Sequence, residues 1–590
     1  MGSGKVSSVR RIAGLLLIVC VSILVVSCTN PGVNYISQGD IYYEQGQLTE
    51  AIAEYSMAIQ LDPDSAEAYD KRGYVYGKQG KYDKAIADYT RAIEIDPEYA
   101  LAYDDRGIAY GRTGDYDRAI SDFDMAIQLD PDYADAYNNR GIAYRNKREY
   151  DRAIADFGEA IEIDPKHMLS HYNRGITYYE KGEYDKAIAD FTGAIELDPG
   201  YVEAYNDRGV VYGEKGEHNR AITDFSRAIE LSPYYVDAHY NRGISYGENG
   251  EHDRAVTDFS RAIELNPDYA NAYDKRGDIY VQQGKYDEAV ADYTIVIELT
   301  PYYAEAYDKR GDIRSQQGRY EEAIFDYTAV IAISPNSIEG YSKRGDIYTQ
   351  QGEYEKAIAD YTMVIEIDPG NILAYNSRGI AYERKGEYDK AIADYNTAIE
   401  KDFNDVRAYN NRGAAYEKKG EYYRAIIDFT MAIELDPGYV LAYRNRGIAY
   451  YQQGEYEKAI ADFTKAIELN PYHVDAYNSR GISYGELEEY DKAIADFGMV
   501  IAIDSNYGVA YNNRGIAYYE KGDYGRAYND LTKTIELMPS YAEAYFYRGL
   551  VYAAVGGYKS EAIADFERCI ELSQDPEIVA RAQEQIESLQ

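Results

Sequence analysis

The sequence predicts an all-α chain, a solenoid of stacked helix-turn-helix repeats closed by a C-terminal capping helix. Three observations predict it. A glycine recurs every 34 residues, from Gly39 through Gly73, Gly107 and Gly141 to Gly549, and marks sixteen units. Within each unit, small and apolar residues return at helical spacing twice over, with a turn residue between the two sets. At the end, Asp575-Pro576 opens a segment through Gln590 whose Ile578, Ala582, Ile586 and Leu589 share one face. Its other face is polar, as a solubilising cap on a stack requires.

In chain order, the N-terminus comes first. Residues 1–11 carry Lys5, Arg10 and Arg11 and no acid, and residues 12–27 form an uninterrupted, weakly polar run. That run is short for a membrane-spanning helix and suits the apolar core of a signal peptide. It closes with Val25-Val26-Ser27-Cys28, which resembles the lipobox of bacterial lipoproteins. The resemblance implies cleavage before Cys28, diacylglycerol on its sulfur and an acylated amine. The expected organisation is therefore a signal peptide over 1–27 and a lipidated tether over 28–31. Several acyl chains anchor a protein stably where one binds only marginally. The expected location is the cell envelope, and Thr29, in place of the Asp that retains Gram-negative lipoproteins at the inner membrane, points to the outer one.

Residues 32–575 hold the sixteen units, and 576–590 the capping helix. The second unit, Ala66 to Pro97, is representative. Its first half places Ala68, Tyr69, Arg72, Gly73 and Tyr76 on a helical pattern; its second half does so with Ala85, Ile86, Tyr89, Ala92, Ile93 and Ile95. Gly80 sits between them, where a left-handed residue ends a helix cheaply. Asp96-Pro97 stops the second helix, because proline disfavours helical geometry in the residue before it.

Tyr69, Gly73, Tyr76, Ala85, Tyr89, Ala92 and Pro97 together resemble the tetratricopeptide repeat, with Tyr69 standing for that family's Trp. The resemblance covers nearly the whole chain after the signal segment. It implies a right-handed superhelix whose first helices line a concave groove that takes partner proteins or extended peptides. One departure is systematic: the Leu before the glycine is Arg in units two to sixteen, as in Arg72, Arg106 and Arg378. An Arg stem covers apolar surface while its head reaches solvent or a carboxylate. Weak points are also readable. Arg148 and Glu488 replace the turn glycine, Phe403 and Ser505 the closing proline, and Arg314 an inward Tyr; unit sixteen has one extra residue near Lys559.

Composition narrows the function. The net charge is −40, with 70 Tyr and no Trp. So acidic a surface repels nucleic acid and favours basic protein segments as partners. The three cysteines are Cys20, Cys28 and Cys569; with only the last in the body, no disulfide framework is possible there. Cys569 occupies a small, inward position that is mostly Ala in other units. His167 and His171 stand four apart, yet no cysteine accompanies them and His171 holds the structural Tyr position, so ordinary packing is expected and not zinc. The glycines follow the repeat period and not a strand-to-helix turn, so no phosphate loop is read. Removing residues 1–27 leaves 563 residues, of which the units take 544. The expectation is a scaffold without catalytic residues, metal or cofactor.

By analogy with the family, groove residues lie one, five and nine positions after the structural Tyr. Eight of the sixteen units place Ile at the second of these: Ile108, Ile142, Ile176, Ile244, Ile380, Ile448, Ile482 and Ile516. Asn138, Tyr172, Asn206, Tyr240, Asn410 and Asn478 fill the first. The family's two-carboxylate clamp needs Asn where these Ile stand, which argues against recognition of chaperone C-termini. Units eight to ten differ by sharing Asp278, Asp312 and Asp346 after the glycine. With Asp274 and Asp308, one turn earlier on the same face, and Glu305 and Glu339, they form a candidate acidic patch for a basic segment. The competing expectation is that Lys275, Lys309 and Lys343 pair with the Asp three residues on, leaving a solvated face. Two other roles stay open: a structural spacer of the envelope, and a regulatory subunit of an envelope enzyme complex.

Overall fold

A computed structural model describes residues 31–590. The expected signal segment 1–27 and Cys28 lie outside the described residues. Among the described residues there are thirty-three helices and no strands. Helices α1 (Pro31–Glu44) and α2 (Leu48–Leu61) make the first hairpin, and α3 (Ala66–Lys78) and α4 (Tyr82–Ile95) the second. The alternation continues to α31 (Ala542–Val555) and α32 (Lys559–Leu572), and α33 (Pro576–Leu589) follows. The chain divides into two compact bodies, one ending at Pro301 with repeats 1–8, the other running Tyr302–Gln590 with repeats 9–16 and α33. Each body is an all-α stack of helical hairpins.

The core is periodic because the sequence is. In α4, Ala85, Tyr89 and Ala92 are buried; the Tyr89 ring lies against Gly73 of α3, while Ala68 and Val75 of α3 pack with Ala51, Tyr55 and Ala58 of α2. The small residues set the distance between helices and the ring fills the space they leave. A Cβ on Gly73 would stand 2.9 Å from the Tyr89 ring, and one on Gly107 2.6 Å from Phe123. Glycine is therefore demanded at this position by contact, since interiors packed this closely have no room to yield.

Between repeats, the closing aspartate does more than the proline. Asp96 is extended, with φ −127°, and its Oδ1 accepts the Glu98 backbone N–H at 3.0 Å. Where Phe403 and Ser505 replace proline, Asp402 and Asp504 keep the same extended shape. They also keep the same turn bond, to Asn404 and Asn506 at 2.9 Å each. Side-chain hydrogen bonding of this kind is how Asp builds a turn. Asp405 then caps the next helix through the N–H groups of Arg407 and Ala408.

Within repeats, Gly80, Gly114 and their equivalents hold positive φ, while Arg148 and Glu488 hold φ 61° and 59° at the same place. A left-handed residue with a Cβ costs roughly 1–2 kcal/mol. Arg148→Gly and Glu488→Gly are each expected to stabilise their repeat by about 1 kcal/mol. A urea midpoint unchanged or lowered in both variants would contradict this.

The arginine that replaces the family's Leu has a partner in every repeat that carries it. Arg378 Nε and Nη2 reach Asp394 Oδ2 and Oδ1 at 2.8 and 2.7 Å. Fifteen such pairs, from Arg72–Asp88 to Arg548–Asp565, join the two helices of repeats 2–16. Parallel N–H···O pairs give this fork direction as well as strength. The remaining Nη1 often reaches back to the previous repeat, as in Arg106 to Thr90 at 3.2 Å and Arg378 to Thr362 at 3.0 Å. One side chain thus ties its own hairpin together and staples it to its neighbour. At repeat 9, Arg314 in the Tyr position joins the fork, its Nη1 2.7 Å from the fully buried Asp326.

Candidate functional site

The first helices of the first body open a row of clefts. One, of about 460 Å³, is lined by Ile108, Arg112, Asn139, Ile142 and Asn146 over a floor of Phe123. A second, of about 320 Å³, has Tyr74, Lys78, Asp105, Ile108 and Arg112 over Tyr89. A third, of about 300 Å³, has Val210, Glu214, Asn241, Ile244 and Glu248 over Phe225. In each, the fifth and ninth positions after the structural Tyr form the walls. Gly77, Gly111 and Gly213 keep the floor open, since a Cβ at any of them meets nothing within 4 Å.

The first position behaves differently from the sequence expectation. Asn138, Asn206 and Asn410 are buried between successive first helices. They accept hydrogen bonds from the residue 35 further on: Asn173 to Asn138 at 3.0 Å, Asn241 to Asn206 at 3.1 Å, Asn445 to Asn410 at 3.1 Å. The bond from Asn139 to Asp104, at 3.1 Å, belongs to the same ladder. These side chains link neighbouring repeats. Helical spacing alone assigned them to the open face because it does not show which polar row the next repeat covers.

One rung is mispaired. The residue 35 after Asp70 is Asp105, so two acceptors replace a donor and an acceptor. Asp70 is buried; its Oδ2 accepts the Tyr99 hydroxyl at 3.2 Å, and its Oδ1 has no hydrogen-bond partner. Burial pushes the Asp70 carboxyl up to about 6. Burial first, and the Asp70 charge second, push Asp105 up to about 8. Both carboxyls therefore hold protons in the folded state that the unfolded chain releases near pH 4. Raising the pH through that window strips them, so stability falls as pH rises from about 4 to about 8. Asp105→Asn restores a donor and is expected to flatten this slope in repeats 2 and 3. Amide exchange of α3 and the following first helix at pH 5 and pH 8 reads it, and equal slopes in both proteins would refute it.

Six of the seven acids singled out in units eight to ten are engaged by their own chain. In the first body, Tyr293 donates to Asp278 at 2.7 Å, and Lys275 stands 3.4 Å from Asp278 and 3.9 Å from the buried Asp274. In the second, Lys343 Nζ lies 2.8 Å from Asp308 and 2.9 Å from Asp312. Lys309 stands 3.2 Å from Glu305, Tyr327 donates to Asp312 and Tyr361 to Asp346, each at 2.7 Å. Glu339 is exposed. Lys343 thus reaches back one repeat to Asp312 and does not pair with the Asp three residues on.

The remaining candidates serve packing. His167 meets Ser170 at 2.6 Å and Asp135 at 3.0 Å. His171 lies 3.8 Å from Asp190, the fork aspartate of its repeat. Cys569 is fully buried, and burial pushes its thiol up to about 11. No helix among the described residues is long and apolar enough to cross a membrane.

Stacked hairpins with an open, cleft-bearing first-helix face define a helical-repeat scaffold of the kind typical of protein–protein interaction. The matches to known families give it a place. A TPR repeat model matches ten segments, including 39–80, 73–114, 107–148, 311–348 and 517–556. Two tetratricopeptide repeat models match further segments, among them 134–167, 440–473 and 463–495. The chain belongs to the tetratricopeptide repeat family. No curated protein matches it. Among solved structures it is similar to the APC/C hetero-tetramer Cut9-Hcn1, at 18% identity over 82% of this chain and 96% of that one, TM-score 0.35. Yeast Tom70 is 17% identical over 72% and 96%, TM-score 0.34. YrrB, a TPR protein with an unusual peptide-binding site, is 23% identical over 31% and 95%, TM-score 0.27.

Proposed function

We propose that this protein is a non-enzymatic scaffold, anchored to a membrane of the cell envelope by a lipid on Cys28, that binds partner proteins or extended peptides along its first-helix face. The observation that carries the reading is the row of clefts in which Ile108, Ile142 and Ile244 alternate with Asn, Arg and Glu. Aliphatic side chains left partly or largely open beside polar ones suit a segment that buries some residues and hydrogen-bonds through others. The matching family models are all repeat models.

Affinity capture from detergent-solubilised cells tests it. Wild type is compared with Ile108→Asp/Ile142→Asp, and with a variant carrying Asp274, Asp278, Asp308, Asp312 and Asp346 all changed to Asn. Loss of partners in the isoleucine variant, at unchanged helicity and melting, supports the groove. Loss in the aspartate variant assigns a basic partner to repeats 8–10. Empty captures from all three proteins sink the scaffold reading. Incorporation of labelled fatty acid into wild type and not into Cys28→Ser tests the anchor.

A spacer role is the second reading. It is favoured by Lys343, which already satisfies Asp308 and Asp312 and leaves less charge there for a partner.

A further inference from the structure

Most repeats place a cation of their own over the same tyrosine. The tyrosine lies three residues after the first-helix glycine, and the cation is the third residue of the second helix. Lys84 stands 5.5 Å from the centre of the Tyr76 ring, Arg118 4.5 Å from Tyr110, and Lys356 5.1 Å from Tyr348. The arrangement recurs in repeats 4–7 and 11–15. A cation over an aromatic face is held by the ring quadrupole.

Repeat 16 inverts this. Its tyrosine is Tyr552, and Glu561 precedes the buried Ala562 just as Lys84 precedes the buried Ala85. An anion therefore occupies the register position of the cation. Repeats 1, 8 and 9 also carry an acid there, Glu50, Glu288 and Glu322, but in repeat 8 Lys285 covers Tyr280 at 5.8 Å, and in repeat 9 Arg314 stands in place of the tyrosine.

Around Tyr552 the chain adds further rings. Tyr528 stands where other repeats have Ile or Val, and Tyr558 comes from the lengthened turn. Their ring centres each lie 5.6 Å from that of Tyr552. With Tyr524, Val551, Val555 and Glu561 they line an open cleft of about 370 Å³. Tyr558 is 47% exposed and Val555 55%. Glu561 accepts the Ser560 hydroxyl at 3.0 Å, and nearby Lys559 turns to the Gln590 carbonyl at 3.4 Å.

We propose that this cleft takes an arginine or lysine side chain of a partner segment, with its cationic head over Tyr552 and against Glu561. The occupant would hold the place that the chain's own cations hold in the other repeats. Three aromatic rings and a carboxylate are complementary to a positive head with an apolar stem. Arginine is the better fit, because its guanidinium is weakly hydrated and stacks on rings. The site belongs to the second body and stands independently of the function proposed for the first-helix clefts.

The absence of Trp from the chain makes a clean test possible. Tyr558→Trp puts a single indole at the cleft edge while keeping an aromatic face. The full-length protein is titrated with N-acetyl-arginine amide and with its uncharged counterpart, N-acetyl-citrulline amide. The expected result is a saturable fluorescence change with the arginine probe and binding about tenfold weaker with citrulline. Glu561→Lys, made in the same background, restores the pattern of the other repeats. It should fold, fill the cleft with its own cation and abolish the response. Glu567→Lys makes the same charge change on an exposed face of α32 and should leave it intact. Equal binding of the two probes, no saturation, or equal loss in the two lysine variants would overturn the proposal. Should Glu561→Lys melt early, Glu561→Gln removes the carboxylate without added bulk and should weaken binding of the arginine probe; unchanged binding would overturn the role of Glu561.

Discussion

Asp394→Ala should unfold repeat 11 at a cost of about 3–5 kcal/mol, because it strands the Arg378 guanidinium without its partner. The arginine and aspartate side chains are 16% and 9% exposed, so water offers little compensation. Arg378→Leu alone should also be costly, since it leaves Asp394 buried and unpaired. The double variant Arg378→Leu/Asp394→Ala returns the family's residue and removes both charges. It should recover most of the loss, because apolar replacement of a buried pair is often close to neutral. In a stack where each repeat contacts only its neighbours, the damage stays local. Amide exchange should therefore accelerate in repeats 10–12 and remain unchanged in repeats 14–16. Additive single effects in the double variant, or uniform acceleration along the body, would contradict the account.

The second large effect comes from one substitution made at two places with opposite results. Gly141→Ala sets a methyl 2.7 Å from Cε1 of Phe157, a ring with no exposed surface. Overpacking of that kind costs about 1–3 kcal/mol. Gly111→Ala meets nothing within 4 Å and should instead stabilise by about 0.5–1 kcal/mol through lower unfolded-state entropy and better helix propensity. Urea unfolding of the two variants checks the contrast. A shift in the same direction for both would mean that contact with the ring does not set the glycine requirement.

Much of this fold was legible in the sequence because the same 34-residue pattern is written sixteen times. Helix positions, the turn glycines and the inward Ala and Tyr all follow from spacing. The fork was only half legible. Arg72 stood out as a departure, but its partner Asp88 lies on the other helix and was not read as a partner. The signal was present, since an Asp follows each of these arginines by 16 residues in repeats 2–15. The polar ladder was misplaced for a different reason. Asn138 and Ile142 lie one turn apart on the same helix, yet the next hairpin covers the first and leaves the second half-open. That division depends on how hairpins stack, and no single-helix pattern carries it. The acids of repeats 8–10 were readable as a group; that Lys343 reaches across a repeat to two of them was not.

The fork, its staple and the ladder span 16, 16 and 35 residues, and each is repeated in the same register. Deleting any 34 consecutive residues well inside one body would bring Arg, Asp, Thr and Asn from different repeats into the same relation. Copying 34 residues would do likewise. The gene can therefore gain or lose whole units by unequal exchange without creating a foreign junction. Length becomes a heritable variable that drifts in steps of one hairpin, while the ends, where α1 lacks the fork and α33 closes the stack, are the parts that cannot be exchanged.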